Sequence, residues 1–167
     1  NPQVILNRLY KQSELESNFS IIMIALVDGK PKTLNLKEIL TEYIKHQREV
    51  LTRRTQFDLA KAEARAHILE GYIIALDNID AIIKTIREAY DDAKEQLMKK
   101  FGLSDKQAQA ILEMQLRRLQ GLERDKIENE YKEVEEKIKY FKSLLADEHK
   151  LMGVIKDELT QVKEKTT

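Results

Sequence analysis

Proline occurs twice in this chain, at Pro2 and Pro31, and not once from residue 32 to residue 167. A proline inside a helix removes a hydrogen bond and clashes with the preceding turn. Its absence over such a stretch leaves helices free to run. Glycine adds little punctuation, with only Gly29, Gly71, Gly102, Gly121 and Gly153. The Glu, Lys, Leu, Ile, Gln and Ala residues that dominate the remainder favour helix. A mainly α fold with unusually long helices is expected.

Asn1-Pro2 reads as an N-cap followed by Pro at the first helical position, opening a short helix through Val4, Ile5, Leu6 and Leu9. The apolar, β-branched run Phe19–Val27 and the Asp28-Gly29 pair after it signal a β-hairpin. Lys30 to Leu34 is the return strand, and Pro31 confines that strand to an edge. Such a ribbon cannot stand alone in water, so its apolar face must rest on something, within this stretch or outside it. The first residue is Asn rather than Met, and a piece of a longer chain is expected. Residues 1–34 are thus a small base.

Asn35 and Glu38 form a capping box, and nothing stops the helix that follows before about Glu70. At 1.5 Å per residue it would run roughly 50 Å, too long for a compact domain to bury. Its apolar set, including Leu51, Phe57, Ala60, Ala64 and Ile68, is a narrow stripe among charges. A second helix over 122–146, about 37 Å long, carries Ile127, Tyr131, Val134, Ile138, Phe141 and Leu145 at the 4-3 spacing of a heptad seam. One narrow seam needs one partner helix. The expected architecture is an antiparallel two-helix coiled coil, 35–70 against 122–146, with a small helical globule, 71–121, at its tip and a further helix with a frayed end over 147–167. Charge agrees: residues 1–70 hold 11 basic and 9 acidic residues, and 122–167 hold 10 and 12. Within the tip, Asp91 or Asp92 can cap a helix ending at Gly102, and Ser104 and Gln107 form a second capping box opening a helix that runs to Gly121.

Composition excludes several functions. Lys plus Arg and Asp plus Glu both number 29, giving zero net charge, whereas a general grip on nucleic acid needs a basic excess. No cysteine is present, which removes disulfides, thiolate zinc sites and cysteine nucleophiles, and fits a reducing, cytoplasmic home. No apolar run approaches a membrane span. His46, His67 and His149 lack metal-ligand spacing, so no metal site is expected. The serines lack a nucleophile-elbow context, and Ser104 reads better as a cap. No catalytic residue and no cofactor are expected in this stretch.

One surface goes beyond core packing. On a helix over 106–120, Ala108, Leu112, Leu116 and Leu119 fall within about 80° of one another. Ala110, Ile111 and Met114 widen the apolar arc to about 240°, against a little over 100° for an ordinary surface helix. Either the tip buries this helix on most sides, or a second copy covers the surplus. The second alternative makes Ala108, Ile111, Leu112, Met114, Gln115, Arg118 and Leu119 candidate dimer-interface residues. Gly71, Asp77 and Asn78, at the junction of stalk and tip, are hinge candidates. Arg48, Arg53 and Arg54 could face a nucleic acid passing beside the stalk, or simply pair with acidic residues of a partner helix and with solvent.

Asn1–Asn7, Arg53–Gly71 and Ala75–Asp80 resemble the A subunit of bacterial type IIA topoisomerases, and Phe101–Arg124 looks most like the DNA gyrase branch of that family. The paralogous topoisomerase IV branch is similar. The resemblance implies a dimeric enzyme that cuts both strands of one duplex, passes another through and reseals the break. It implies ATP hydrolysis and a magnesium site in a partner B subunit, an A2B2 assembly, double-stranded DNA as partner, and a bacterial, nucleoid-associated setting. The part similar to this chain is the coiled-coil stalk and globule that form the exit gate, or C-gate, of the dimer. The family's nucleophilic tyrosine follows an Arg. Tyr10, Tyr43, Tyr72, Tyr90, Tyr131 and Tyr140 follow Leu, Glu, Gly, Ala, Glu and Lys, so none inherits that role. The rival reading from another class is a nucleic-acid-binding coiled-coil arm.

Overall fold

The computed structural model describes residues 1–89, 91–114 and 121–166. The described residues are mainly helical, with one two-stranded sheet, and divide into two units, Asn1–His46 and Gln47–Thr167.

In the first unit, α1 spans Pro2–Gln12, and the Asn1 side chain accepts the Gln3 N–H at its start. Strands β1 (Ile24–Val27) and β2 (Lys30–Thr33) pair antiparallel with Val27 opposite Lys30 and Ile24 opposite Thr33. Asp28 and Gly29 both have positive φ, 51° and 76°, as a two-residue hairpin turn of matching twist requires. The ladder is shorter than the apolar run that predicts it. One more bond, Leu34 N–H to Met23 O, extends it, and then Asn35 and Glu38 exchange backbone and side-chain hydrogen bonds of 2.8 and 2.9 Å that turn the chain into the next helix. Residues 19–22 therefore lie beyond the reach of β2. Only Leu34 is buried in this unit, while Phe19 is 88% exposed and Ile22, Ile24 and Leu26 present an apolar face.

Helix α2 (Leu36–Asp77) does not stop near Glu70; it continues through Gly71 for nearly two further turns. Glycine weakens a helix interior by about 1 kcal/mol, but Leu69, Tyr72 and Ala75 on either side are buried and hold it. In the second unit α2 is followed by α3 (Ile79–Glu88), α4 (Ala93–Phe101), α5 (Asp105–Leu112), α6 (Gly121–Ala146) and α7 (Glu148–Thr166). Helix α4 ends as expected at Gly102, with φ 66°. Its N-cap Asp92 bonds the Gln96 side chain rather than a backbone N–H.

Within this unit α2 and α6 run antiparallel. Asp77 meets Arg124 at 2.6 Å, Glu70 accepts from the Tyr131 hydroxyl at 3.0 Å, and Glu63 meets Lys142 at 2.9 Å. Helix α7 turns back beside them. Arg48 pairs with Glu148 and Arg54 with Glu158, so α7 runs in the same direction as α2. Leu51, Leu151 and Ile155 close between those pairs.

The phase of the seam differs from the expected one. Ile127 and Val134 are buried as the heptad predicts, but further along Leu144 is buried more deeply than Leu145. On α2 the expected stripe residue Leu51 is buried but Phe57 is 68% exposed, and Thr55 and Ala66 are buried with Leu69, Gly71, Tyr72 and Ala75. Hydrophobicity misplaces the middle of this stripe because small residues fill it there. Thr55 is admitted because its hydroxyl donates to Leu51 O at 2.8 Å within its own helix, leaving only its methyl group and carbon atoms to pack.

Candidate interaction site at the helical tip

Helices α3, α4 and α5 share one core with α2 and α6. Ile82, Leu97, Leu103, Ala108 and Ile111 pack with Ala66, Leu69, Tyr72 and Ala75, and Leu69, Leu97 and Ala108 are fully buried. Ile82 and Thr85 turn one side of α3 inward. Ile79, Ile83 and Ile86, at i, i+4 and i+7, remain half-buried along its flank. Facing them are Leu112 and Met114. Together with Ala75, Ile82, Ile111 and Arg87 they line a groove of about 350 Å³. Its described walls are aliphatic, and Arg87 is the single charged group among the described lining residues. Such a concavity can take an apolar ridge, with one cation available to a carboxylate or carbonyl beside it.

The structure sorts the seven candidate interface residues. Ala108 is sealed in the chain's own core, and Ile111 is buried there while also lining the floor of the groove. Leu112 and Met114 border the groove and are partly exposed. Gln115, Arg118 and Leu119 lie outside the described residues. The wide apolar arc drawn on a single helix over 106–120 also changes. Helix α5 ends at Leu112, where the Glu113 N–H bonds Gln109 O and the Met114 N–H bonds Ile111 O at 3.2 Å. Gly121 belongs to α6 and not to α5. The α3 side of the groove is absent from the sequence-based candidates, although the spacing of Ile79, Ile83 and Ile86 is a legible signal for it.

Of the hinge candidates, Gly71 is buried inside α2, Asp77 is the last residue of α2, and Asn78 stands between α2 and α3 with its side chain bonded to Ile74 O. Of the candidate DNA-facing arginines, Arg48 and Arg54 are engaged by the α7 carboxylates, while Arg53 is exposed. Arg65 makes two bonds to Glu130, of 2.7 and 2.9 Å. That hydrogen bonding raises the guanidinium pKa above its ordinary value, against a smaller opposing effect of burial. The Tyr131 phenol is also raised, by burial first and then by its bond to Glu70. No group of three or more His, Asp or Glu residues able to hold a metal ion occurs among the described residues. No described helix is long and apolar enough to cross a membrane.

The bidentate pair supports a direct test. Arg65→Ala and Glu130→Ala should each destabilise the α2–α6 contact modestly. The double-mutant cycle should return a coupling of about 0.5–1 kcal/mol, reduced by salt, because both groups are roughly half exposed. Urea denaturation of the four proteins at two ionic strengths measures it.

The family of DNA gyrase and topoisomerase IV A subunits matches residues 1–160 of this chain. The A subunit of DNA gyrase from Clostridium acetobutylicum is 57% identical over 167 residues, covering 99% of this chain and 20% of the relative. The A subunit of DNA gyrase from Staphylococcus aureus is 56% identical, covering 99% and 19%. The chain thus spans about one fifth of the length of these curated relatives.

Proposed function

The chain belongs to the family of DNA gyrase and topoisomerase IV A subunits, and on that premise we propose that it is the exit-gate module of a gyrase A subunit. Two copies meet through their tips, hold the dimer together, and part to release the transported duplex during each supercoiling cycle. ATP and magnesium act in the B subunit of an A2B2 complex, in the bacterial cytoplasm. This stretch supplies the lever and the latch of the gate, and the bond-breaking chemistry belongs elsewhere in the enzyme.

The observation that carries this reading is the half-open aliphatic groove between α3 and α5, bordered by Leu112 and Met114. Apolar surface of this kind, beside a core already closed by Leu69 and Leu97, gains by being covered. A second copy offers the same groove with the same Leu112 and Met114 at its border, as a two-fold contact requires. The engagement of Arg48 and Arg54 by Glu148 and Glu158 weighs against a nucleic-acid-binding arm, since those two arginines already have anionic partners.

Cysteine placed at Met114 or Ile83 of the full-length protein tests the gate. Mild oxidation should join the two A subunits covalently and block release of the transported duplex, and reductant should restore it. Failure of both positions to cross-link in intact dimers would overturn the proposed contact.

A further inference from the structure

A polar cluster wedged between α2 and α5 plays no part in the gate contact. Gln107 is only 5% exposed, deep burial for an amide. Its Nε2 donates to His67 O at 2.7 Å, and its Oε1 accepts the Ser104 N–H at 2.9 Å. The hydroxyl of Ser104 accepts the Gln107 N–H at 3.3 Å and lies 2.7 Å from His67 Nε2. The His67 carbonyl belongs to α2, one turn before Gly71. A Cβ built on Gly71 would stand 2.8 Å from Gln107 Cγ and 2.9 Å from Gln107 Cβ, both closer than real Cβ contacts come. The Gln107 side chain therefore lies directly on bare α2 backbone, and only glycine admits it there.

We propose that Gly71, His67, Ser104 and Gln107 form a locking joint that makes α5 and α2 move as one body. Gln107 does two jobs at once. Its oxygen completes the capping box of α5, and its nitrogen fastens that cap to the α2 backbone. Gly71 is the seat of the lock and not a point of flexion. The joint holds the Leu112–Met114 wall of the groove at a fixed angle to α2, whatever covers the groove.

Gln107→Glu separates the two jobs. A glutamate at this position keeps the acceptor that the capping box needs, but presents oxygen where the lock needs a donor. In the full-length protein the amides of residues 108–112 should exchange hydrogen at least tenfold faster in this variant. Those of 69–75 and 127–134 should change less than twofold. Gly71→Ala should give the same pattern by steric displacement. Unchanged exchange over 108–112 in Gln107→Glu would show that the cap alone holds α5 and would overturn the proposal. Equal acceleration across α2, α5 and α6 would also overturn it, as a general loss of packing. A second measurement avoids variants that fold poorly. Spin labels on Lys61→Cys and Gln109→Cys, both exposed positions, should report one narrow distance in the parent and a broader distribution with Gln107→Glu added. Equal widths would overturn the rigid joint.

Discussion

Leu69→Ala is expected to destabilise the second unit by about 3–5 kcal/mol, the range for truncating a fully buried leucine. Leu69 has no exposed surface and sits where α2 meets the core shared with α3, α4, α5 and α6. Truncation removes its own contacts and leaves a cavity that several helices would have to move to fill. The transition should fall by on the order of 10 °C, read by thermal circular dichroism. Phe57→Ala is the control. Phe57 is larger, but it is 68% exposed, so its loss should cost less than about 0.5 kcal/mol. Comparable losses from the two substitutions would show that the phase of the α2 seam is misassigned.

Leu112→Arg should weaken the proposed self-association through the tip about a hundredfold, near 3 kcal/mol, with helix content unchanged. The arginine would bring a charge to the wall of an aliphatic groove, and in a two-fold contact each substitution acts twice. Leu112 also touches the tip core, so Met114→Arg, beyond the end of α5, is the companion variant. Sedimentation velocity across micromolar concentrations measures both. If both variants associate like the parent, the groove does not join the copies.

Much of this fold is legible in the residues. The Asn35–Glu38 and Ser104–Gln107 boxes fix helix starts because each needs only residues three apart, and both form as expected. The Asp28-Gly29 turn and the αL residue Gly102 are equally local. What the sequence hides is set by contacts between distant segments. Thr55 and Ala66 fill the seam in place of Phe57 because the space between helices favours small side chains, which no hydropathy count registers. Gly71 resembles a helix terminator until Gln107, remote in sequence, is found lying across it. For the tip surface, helical spacing marked residues 106–120 as apolar on many sides. It could not tell that Ala108 and Ile111 face inward, or that α5 stops at Leu112. The return of α7 along α2, which engages Arg48 and Arg54, also depends on a reversal after Ala146 that carries no glycine or proline signal.

The bond between Asp77 and Arg124 brings together the two points where the chain leaves the paired rods and rejoins them. A segment whose ends are neighbours behaves as a cassette: it can be exchanged for a related one without rerouting its support. Chimeras that swap residues 78–123 between relatives, keeping both ends of that bond, should therefore preserve the rods while transplanting whatever partner preference the cassette carries.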